Sequence, residues 1–455
     1  MSNELMENVD FEELLQLANE KKYRQLKEIL VEMNEVDIAL FIEELEPERT
    51  VIVFRTLPKA MAASVFAELP VEEQTLIINS ITDKELSEIV EDLYVDDAVD
   101  MLEELPATVV RRVLENTKPD TRKLINQFLN YPDNSAGSIM TAEYIGFKAH
   151  MTVEQCFAYI RKHGIDSETI YTAYVMGEKR QLEGVVTVKD LLMSPYETLV
   201  GDIMDDHVIK VSTTTDQEEV VEMMNKYDLL SMPVVDSEDR LVGIITVDDV
   251  MDVMEEEATE DIEKMAAMLP SEKPYLKTGV FELAKNRIPW LLFLMLSSTL
   301  SGAILEKYEN AFAVIPLLVS FTPMLMNTGG NSGSQSSAMI IRGMSLGEIE
   351  PRDILQVIWK EIRVGIIAGG VLAVANFARL MIQYPGNTMI CLVVVLSVFV
   401  TVVIAKTIGC TLPIAAKVLK MDPAIMAGPL ITTIVDAVSL IVYFNLACTF
   451  LDMHV

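Results

Sequence analysis

Apolar residues recur every twelve positions early in the chain, at Leu45, Leu57, Leu69, Ile81, Leu93 and Leu105. Proline follows at 58, 70 and 106. Its fixed φ and missing N–H suit it to a turn or a first helical residue. A short helix plus a turn fills twelve residues, so residues 1–132 are expected to form an all-α stack of helical hairpins. A helical bundle without true repeats fits the same positions. In "DLYVDDAVDML" Asp96 and Asp100 stand four apart on one helical side, with Asp97 beside them.

The period then changes. "LEGVVTVKDLL" (182–192) matches "LVGIITVDDVM" (241–251) at an offset of 59, and "SIM" (138–140) and "DIM" (202–204) open the two copies. Each copy reads strand, helix, strand, strand, helix, with an Asp starting the last helix. The G-x-x-T-x-x-D spacing falls at Gly184, Thr187 and Asp190, and again at Gly243, Thr246 and Asp249. This resembles a tandem pair of α/β cystathionine-β-synthase (CBS) domains, expected at 133–200 and 201–255. The resemblance implies an adenine nucleotide such as ATP, held by Thr187, Asp190, Thr246 and Asp249. A hydroxyl at a helix N-terminus suits phosphate, and a carboxylate suits ribose. The same four side chains serve equally well as helix caps.

From Asp248 to Glu263, nine of sixteen residues are acidic, and only Lys264 follows closely. Like charges at i,i+4 oppose a helix by a few tenths of a kcal/mol per pair. No basic stripe relieves them. A cation clip and a solvated face both fit this run, and a connecting helix is expected over 256–285.

Five apolar stretches follow, roughly 288–305, 311–340, 362–383, 388–416 and 423–451. Each reaches the about 20 residues that a ~30 Å hydrocarbon core requires. Residues 286–455 are therefore expected to form a five-helix transmembrane domain in a lipid bilayer. Arg342, Arg352, Lys360, Arg363, Lys417 and Lys420 fall in alternate loops. The positive-inside rule then puts the N-terminus in the cytoplasm and the C-terminal "LDMHV" outside.

The second stretch is interrupted by "NTGGNSGSQSS". Pro323, Gly329, Gly330 and Gly333 are expected to loosen the helix, and Asn327, Asn331, Ser334 and Gln335 offer oxygens. Pore lining and close helix packing both suit such residues. In the last stretch Asp436 is the only charged residue between Asp422 and Asp452. A lone carboxylate at that depth costs at least a few kcal/mol and usually marks an ion path. An ion pair with Lys406 and a protonated acid are the alternatives; Lys406 is also placed to snorkel to water.

Charge sharpens this division. Residues 288–455 hold nine acids and nine bases, so the whole net charge of −33 lies in residues 1–287. So acidic a surface argues against nucleic acid and anionic lipid as partners. Four cysteines and four histidines are dispersed without C-x-x-C spacing, which leaves oxygen as the ligand atom and a hard cation such as Mg2+ or Ca2+ as the metal. No nucleophile–base set is present, so an enzyme is not expected. "MSNELMENVDFEELL" lacks the apolar core of a signal peptide.

A helical acidic domain, a CBS pair, an acidic connector and five spans with "GGNSGSQ" and "GPL…VD" together resemble the MgtE-type magnesium channel family. The resemblance implies a multidomain membrane protein of the bacterial inner membrane, a homodimer with its pore between the two membrane portions. Mg2+ is then both substrate and regulator. Asp436 would hold the hydrated ion, with Asn327, Gly329, Gly330 and Asn331 lining the path. The matching sensor acids are Asp96, Asp100, Asp228, Asp249, Asp252, Glu257, Glu260 and Asp261, with Asp422 as their membrane-side partner. Gly428 and Ser334 stand where some relatives have Asn, and Lys406 occupies a segment that can be free of bases. The competing readings are a proton- or sodium-coupled divalent metal transporter and a CBS nucleotide-sensing membrane protein.

Overall fold

The computed structural model describes residues 11–271, 275–276, 278–309 and 315–451. The acidic start of the chain, residues 311–314 of the expected second span and the expected external terminus after residue 451 lie outside these. The chain divides into two compact units, Met1–Val253 and Met254–Val455.

The first unit opens with short helices: α1 (Phe11–Asn19), α2 (Tyr23–Leu30), α3 (Glu35–Glu43), α4 (Pro47–Phe54), α5 (Lys59–Ala67), α6 (Val71–Ser80), α7 (Asp83–Asp92), α8 (Val95–Glu104), α9 (Ala107–Asn116) and α10 (Pro119–Phe128). From α4 to α9 each twelve-residue step holds one helix of 8–10 residues. Leu45, Leu57, Leu69, Ile81 and Leu105 lie just past helix ends and are buried. Pro58, Pro70 and Pro106 are the N-cap residues of α5, α6 and α9. The helices pack on their next-but-one neighbours: α3 on α5, α4 on α6, α5 on α7, α7 on α9 and α8 on α10. Helices this short are marginal alone, and one continuous apolar core running along the stack holds them.

The two CBS copies follow the expected order. The first is β1 (Tyr144–Phe147), α11 (Val153–His163), β2 (Thr169–Met176), β3 (Leu182–Thr187) and α12 (Val188–Met193). The second is β4 (Val211–Ser212), α13 (Gln217–Tyr227), β5 (Ser231–Val235), β6 (Leu241–Thr246) and α14 (Val247–Met265). In each sheet the first two strands are parallel and the last two antiparallel. The copies join through bridges at Thr141–Ile244 and Gln181–Arg240 and through a buried hydrogen bond of 2.7 Å between the Tyr174 and Ser231 hydroxyls.

The connector differs from expectation. The acidic run belongs to α14, which starts in the second CBS copy and ends at Met265. Ala267 turns left-handed at φ 55°, and Pro270 cannot continue a helix. The next helix, α15 (Val280–Lys307), begins fifteen residues after α14 ends, so 256–285 is not one helix.

The second unit continues with α16 (Thr322–Ser345), α17 (Ile354–Gln383), α18 (Thr388–Val418) and α19 (Gly428–Leu451). Among the described residues, four stretches are long and apolar enough to cross a membrane: Val280–Lys307, Pro351–Gln383, Thr388–Val418 and Pro423–Leu451. At 24 residues, or about 36 Å, α16 has spanning length but is more polar than these. It packs on α18 and α19.

The expected loosening of α16 is absent: it is an unbroken α-helix. Its glycines are used for close approach instead. A Cβ at Gly329 would lie 2.7 Å from Ser439 Oγ and 2.8 Å from Thr401 Cγ2, and one at Gly333 would lie 2.8 Å from Ile431 Cγ2. A Cβ at Gly409 of α18 would fall on the Gly333 carbonyl. Backbone this close admits no methyl, so Gly409→Ala is expected to destabilise by about 1–3 kcal/mol, as overpacking does. Gly370→Ala, where a Cβ meets nothing within 4 Å, should leave stability unchanged or raised. Thermal unfolding of the two variants in detergent measures the contrast.

Candidate cation sites

Three groups of carboxylates stand out, and each is set by its helix. The first lies in the soluble unit. Val95, Ala98, Val99, Met101 and Leu102 bury one face of α8, and this draws Asp96 inward to 9% exposure. Asp97 follows, half-buried, on the same first turn. Asp249 enters on the first turn of α14, where its Oδ2 accepts from the backbone N–H and the hydroxyl of Thr246. Glu143 and Glu168 flank β1 and β2, and Glu143 is fixed by bonds from the Thr141 hydroxyl (2.7 Å) and the Ala142 N–H (2.9 Å).

The charges in this group reinforce one another. Burial pushes the Asp96 carboxyl up to about 9, aided by Asp97, Asp249, Glu168 and Glu143. Burial, then Asp249, Asp248, Asp97 and Glu143, pushes Glu168 up to about 7. Asp97 rises to about 6 through burial, Asp249, Glu68 and Glu143. Asp249 is raised by burial against the lowering effect of its Thr246 bonds, with Asp248 and Asp252 adding repulsion. Glu68 is raised by burial and by Asp252. Asp96 Oδ1 and Glu168 Oε2 are buried with no hydrogen-bond partner. Orphaned carboxyl oxygens among other carboxylates suit a hard divalent cation, which would take the place of their protons.

The second group joins the end of α14 to the start of α19. Lys264 bonds Asp422 Oδ2 at 2.6 Å and also pairs with Glu260. Asp422 Oδ1 meanwhile accepts from the Ala424 N–H at 2.8 Å. Asp261 is raised by burial, then by Asp422, with Lys264 opposing and Glu257 and Glu260 adding. Gly428 permits this approach: its φ is +26°, and a Cβ there would lie 2.8 Å from the Met265 carbonyl. An ammonium thus sits among the carboxylates expected to sense metal.

The third group is in the apolar helices. Asp436 Oδ1 is buried without a hydrogen-bond partner. On α16, Asn327, Asn331 and Gln335 are exposed at every fourth position, and Asn331 Nδ2 donates to Asn327 Oδ1 at 3.0 Å. The opposite face, including Gly329, Gly330, Gly333 and Ser336, is buried. Of the four α16 residues expected along a path, the two asparagines are thus exposed, while Gly329 and Gly330 serve helix contact.

Lys406 neither pairs with Asp436 nor reaches solvent. It is 6% exposed, with Nζ 3.9 Å from Glu361 Oε2 and donating to Ser336 Oγ at 3.3 Å. The Ser336 hydroxyl in turn donates to Glu361. Reading the sequence missed Glu361, which is flanked by Lys360 and Arg363 and looks like part of a charged loop. It also missed Glu143 and Glu168, which become neighbours of Asp96 only through the fold.

Among the other expected residues, Asp100 and Asp228 are exposed, and Asp228 is the left-handed C-cap of α13. Thr187 and Asp190 form a reciprocal capping box on α12, and Thr246 and Asp249 repeat the side-chain bond on α14. The reciprocal cap is thus observed for Thr187 and Asp190, while in the second copy Asp249 accepts from Thr246.

A helical acidic stack, a CBS pair and a bundle of membrane-length helices define a multidomain membrane protein. The chain matches the MgtE divalent cation transporter family over residues 322–446, the MgtE intracellular N domain over 33–134, and CBS domains over 136–196 and 200–256. It is 37% identical over 448 residues to the magnesium transporter MgtE of Thermus thermophilus, covering 98% of each chain. It is 33% identical to the magnesium transporter MgtE of Bacillus subtilis, covering 98% of this chain and 99% of the relative. A crystal structure of the cytosolic domain of the Mg2+ channel MgtE in complex with ATP superposes with a TM-score of 0.51 at 40% identity, covering 54% of this chain and all of that one. The chain belongs to the MgtE family of magnesium transporters, and these two full-length relatives are transporters rather than enzymes.

The raised carboxyls of the first group make a pH prediction for the metal-free protein. A carboxyl whose folded value lies above its ordinary value near 4 stabilises the fold when protonated. Its contribution is full at low pH and is lost as pH rises from that ordinary value towards the folded value of about 9 for Asp96. In chelator, the unfolding temperature of the soluble unit within the full chain should therefore fall from pH 5 to pH 8. Asp96→Asn should flatten the slope, as read by differential scanning calorimetry.

Proposed function

We propose that the protein is a channel that imports Mg2+ across the bacterial inner membrane and is closed by Mg2+ on the cytoplasmic side. The observation that carries this reading is Asp436, an acid with a buried, partnerless oxygen in an otherwise uncharged 24-residue helix. Lipid does not tolerate such a group, and water or a cation does. The polar stripe of Asn327, Asn331 and Gln335 adds a second wettable surface. Two copies meeting along these surfaces would enclose a path that neither forms alone, which supports a homodimer.

Mg2+ dehydrates reluctantly and is usually held through several of its own waters. Asp436 would then attract the ion as a charge, and the asparagine amides would receive its waters. The membrane potential contributes about 2.3 kcal/mol per elementary charge per 100 mV to entry. With the soluble unit in the cytoplasm and the C-terminus outside, the carboxylate clusters meet the internal ion.

Closure follows from differential binding. Asp96, Asp97, Glu143, Glu168 and Asp249 repel one another when ionised and metal-free, and a divalent ion would draw α8 onto the CBS pair, with Asp100 and Asp252 nearby in the chain, and Asp228 after α13, as further acids. Glu257, Glu260, Asp261 and Asp422 would fix the end of α14 against the start of α19 in the same way. Adenine nucleotide is assigned to the CBS pair around Thr187, Asp190, Thr246 and Asp249, in line with the ATP complex of the related cytosolic domain.

Two measurements test this. Asp436→Ala should remove at least about nine-tenths of Mg2+ flux into proteoliposomes, the scale expected when a site's only charge is lost. Flux equal to the unaltered protein would reject the pore. Neutralising Glu257, Glu260 and Asp261 together should leave patches conducting at millimolar internal Mg2+. Normal closure would remove these acids from the sensor.

A further inference from the structure

We propose that Glu361 is a counter-charge that draws Lys406 away from Asp436 and so leaves the pore carboxylate free for a divalent cation. This rests on the reading of Asp436 given above.

Lys406 and Asp436 each follow a residue of one buried cluster. Ala405 and Val435, the residues just before them, belong to one buried cluster with Ile431. Both also meet the same glycine: a Cβ at Gly333 would lie 3.2 Å from the Ala405 carbonyl and 3.3 Å from Val435 Cγ2. A flexible ammonium beside a lone carboxylate in a medium of low dielectric should pair with it. Such a pair gains several kcal/mol at an effective dielectric of about 20.

The structure shows another outcome. The lysine stem runs towards α17, with Cδ passing Gly365. Its ammonium ends 3.9 Å from Glu361 and 3.3 Å from the Ser336 hydroxyl. Both charges are removed from solvent, with side-chain exposures of 8% for Lys406 and 15% for Glu361. Ser336 completes the arrangement by accepting from the ammonium and donating to the carboxylate. Asp436 keeps an oxygen without a partner.

Glu361 is thus a positioning residue. It acts through Lys406 by deciding where a built-in cation rests. Without it the ammonium is left buried and unpaired, which is costly. Asp436 is then the acid that follows the same buried cluster, and a tethered monovalent cation competes with Mg2+ for it. Competition weakens capture of the ion while leaving the saturated rate largely intact.

Mg2+ influx into proteoliposomes, measured against external concentration at low internal Mg2+, separates this from a simple structural brace. In Glu361→Gln the half-saturating concentration should rise about tenfold or more, the effect of roughly 1.4 kcal/mol, with the maximal flux kept. Glu361→Gln combined with Lys406→Gln should return it to the unaltered value, and Lys406→Gln alone should match or lower it. Glu361→Asp, which keeps the charge, should change little. Unchanged half-saturation in Glu361→Gln overturns the proposal. So does a fall in maximal flux alone, or a double variant no better than the single. If Glu361→Gln does not accumulate in the membrane, the double variant decides: unaltered half-saturation supports the role, and a raised value overturns it. Absence of Mg2+ flux in the unaltered protein would instead reject the channel reading from which this role derives.

Discussion

Carboxylates held out of water without a matching cation are the constraint on which the rest of the structure depends. Asp96 and Glu168 each keep an orphaned oxygen in the soluble unit, and Asp436 keeps one among the apolar helices. Groups like these oppose folding, and something must outweigh them. For Asp96 that is the buried face of α8, where five apolar residues anchor the helix on which it sits. Its position on the first turn also places it near the positive end of the helix dipole. For Asp436 it is the packing of α19, with Ile431, Val435, Leu440, Tyr443 and Phe444 all buried. The apolar contacts hold the acids in place against that cost.

The chain does supply cations of its own where neutrality is wanted. Lys264 bridges Glu260 and Asp422, and Lys406 is committed to Glu361 and Ser336. The two lysines mark different solutions. Lys264 is about one-fifth exposed, so water reaches its ion pairs and screens them. Lys406 is buried on all sides by three helices, and its exchange for a mobile ion would leave Glu361 stranded. One lysine forms a partly solvated contact. The other suits a fixed part of the bundle.

Much of this architecture was legible in the sequence, because local patterns carry it. The twelve-residue spacing of Leu45 to Leu105 became one short helix per step, and the doubled G-x-x-T-x-x-D became two sheets of the same topology. Asp436 was legible because a charge in an apolar run has no local excuse. Less legible were contacts made only by the fold. Glu143 and Glu168 are surface-like in sequence, yet the CBS sheet carries them to Asp96. Glu361 is masked by adjacent bases. The connector was misjudged because acidic composition says nothing of where a helix ends; a left-handed Ala267 and Pro270 decide that.

The glycines of α16 show how one sequence feature answers two demands. Read as breakers, Gly329, Gly330 and Gly333 predict freed carbonyls; the helix is unbroken because neighbouring helices use the space a side chain would fill. Close contact on that face fixes the rotation of α16 about its axis. With the glycine and serine face turned to α18 and α19, the 3.6-residue period leaves Asn327, Asn331 and Gln335 on the other side. A helix with bulkier residues at 329 and 333 would stand further off and turn more freely, and its amides would have no fixed direction. The small residues therefore set the direction of the polar stripe without belonging to it: they aim the amides, as Glu361 aims Lys406.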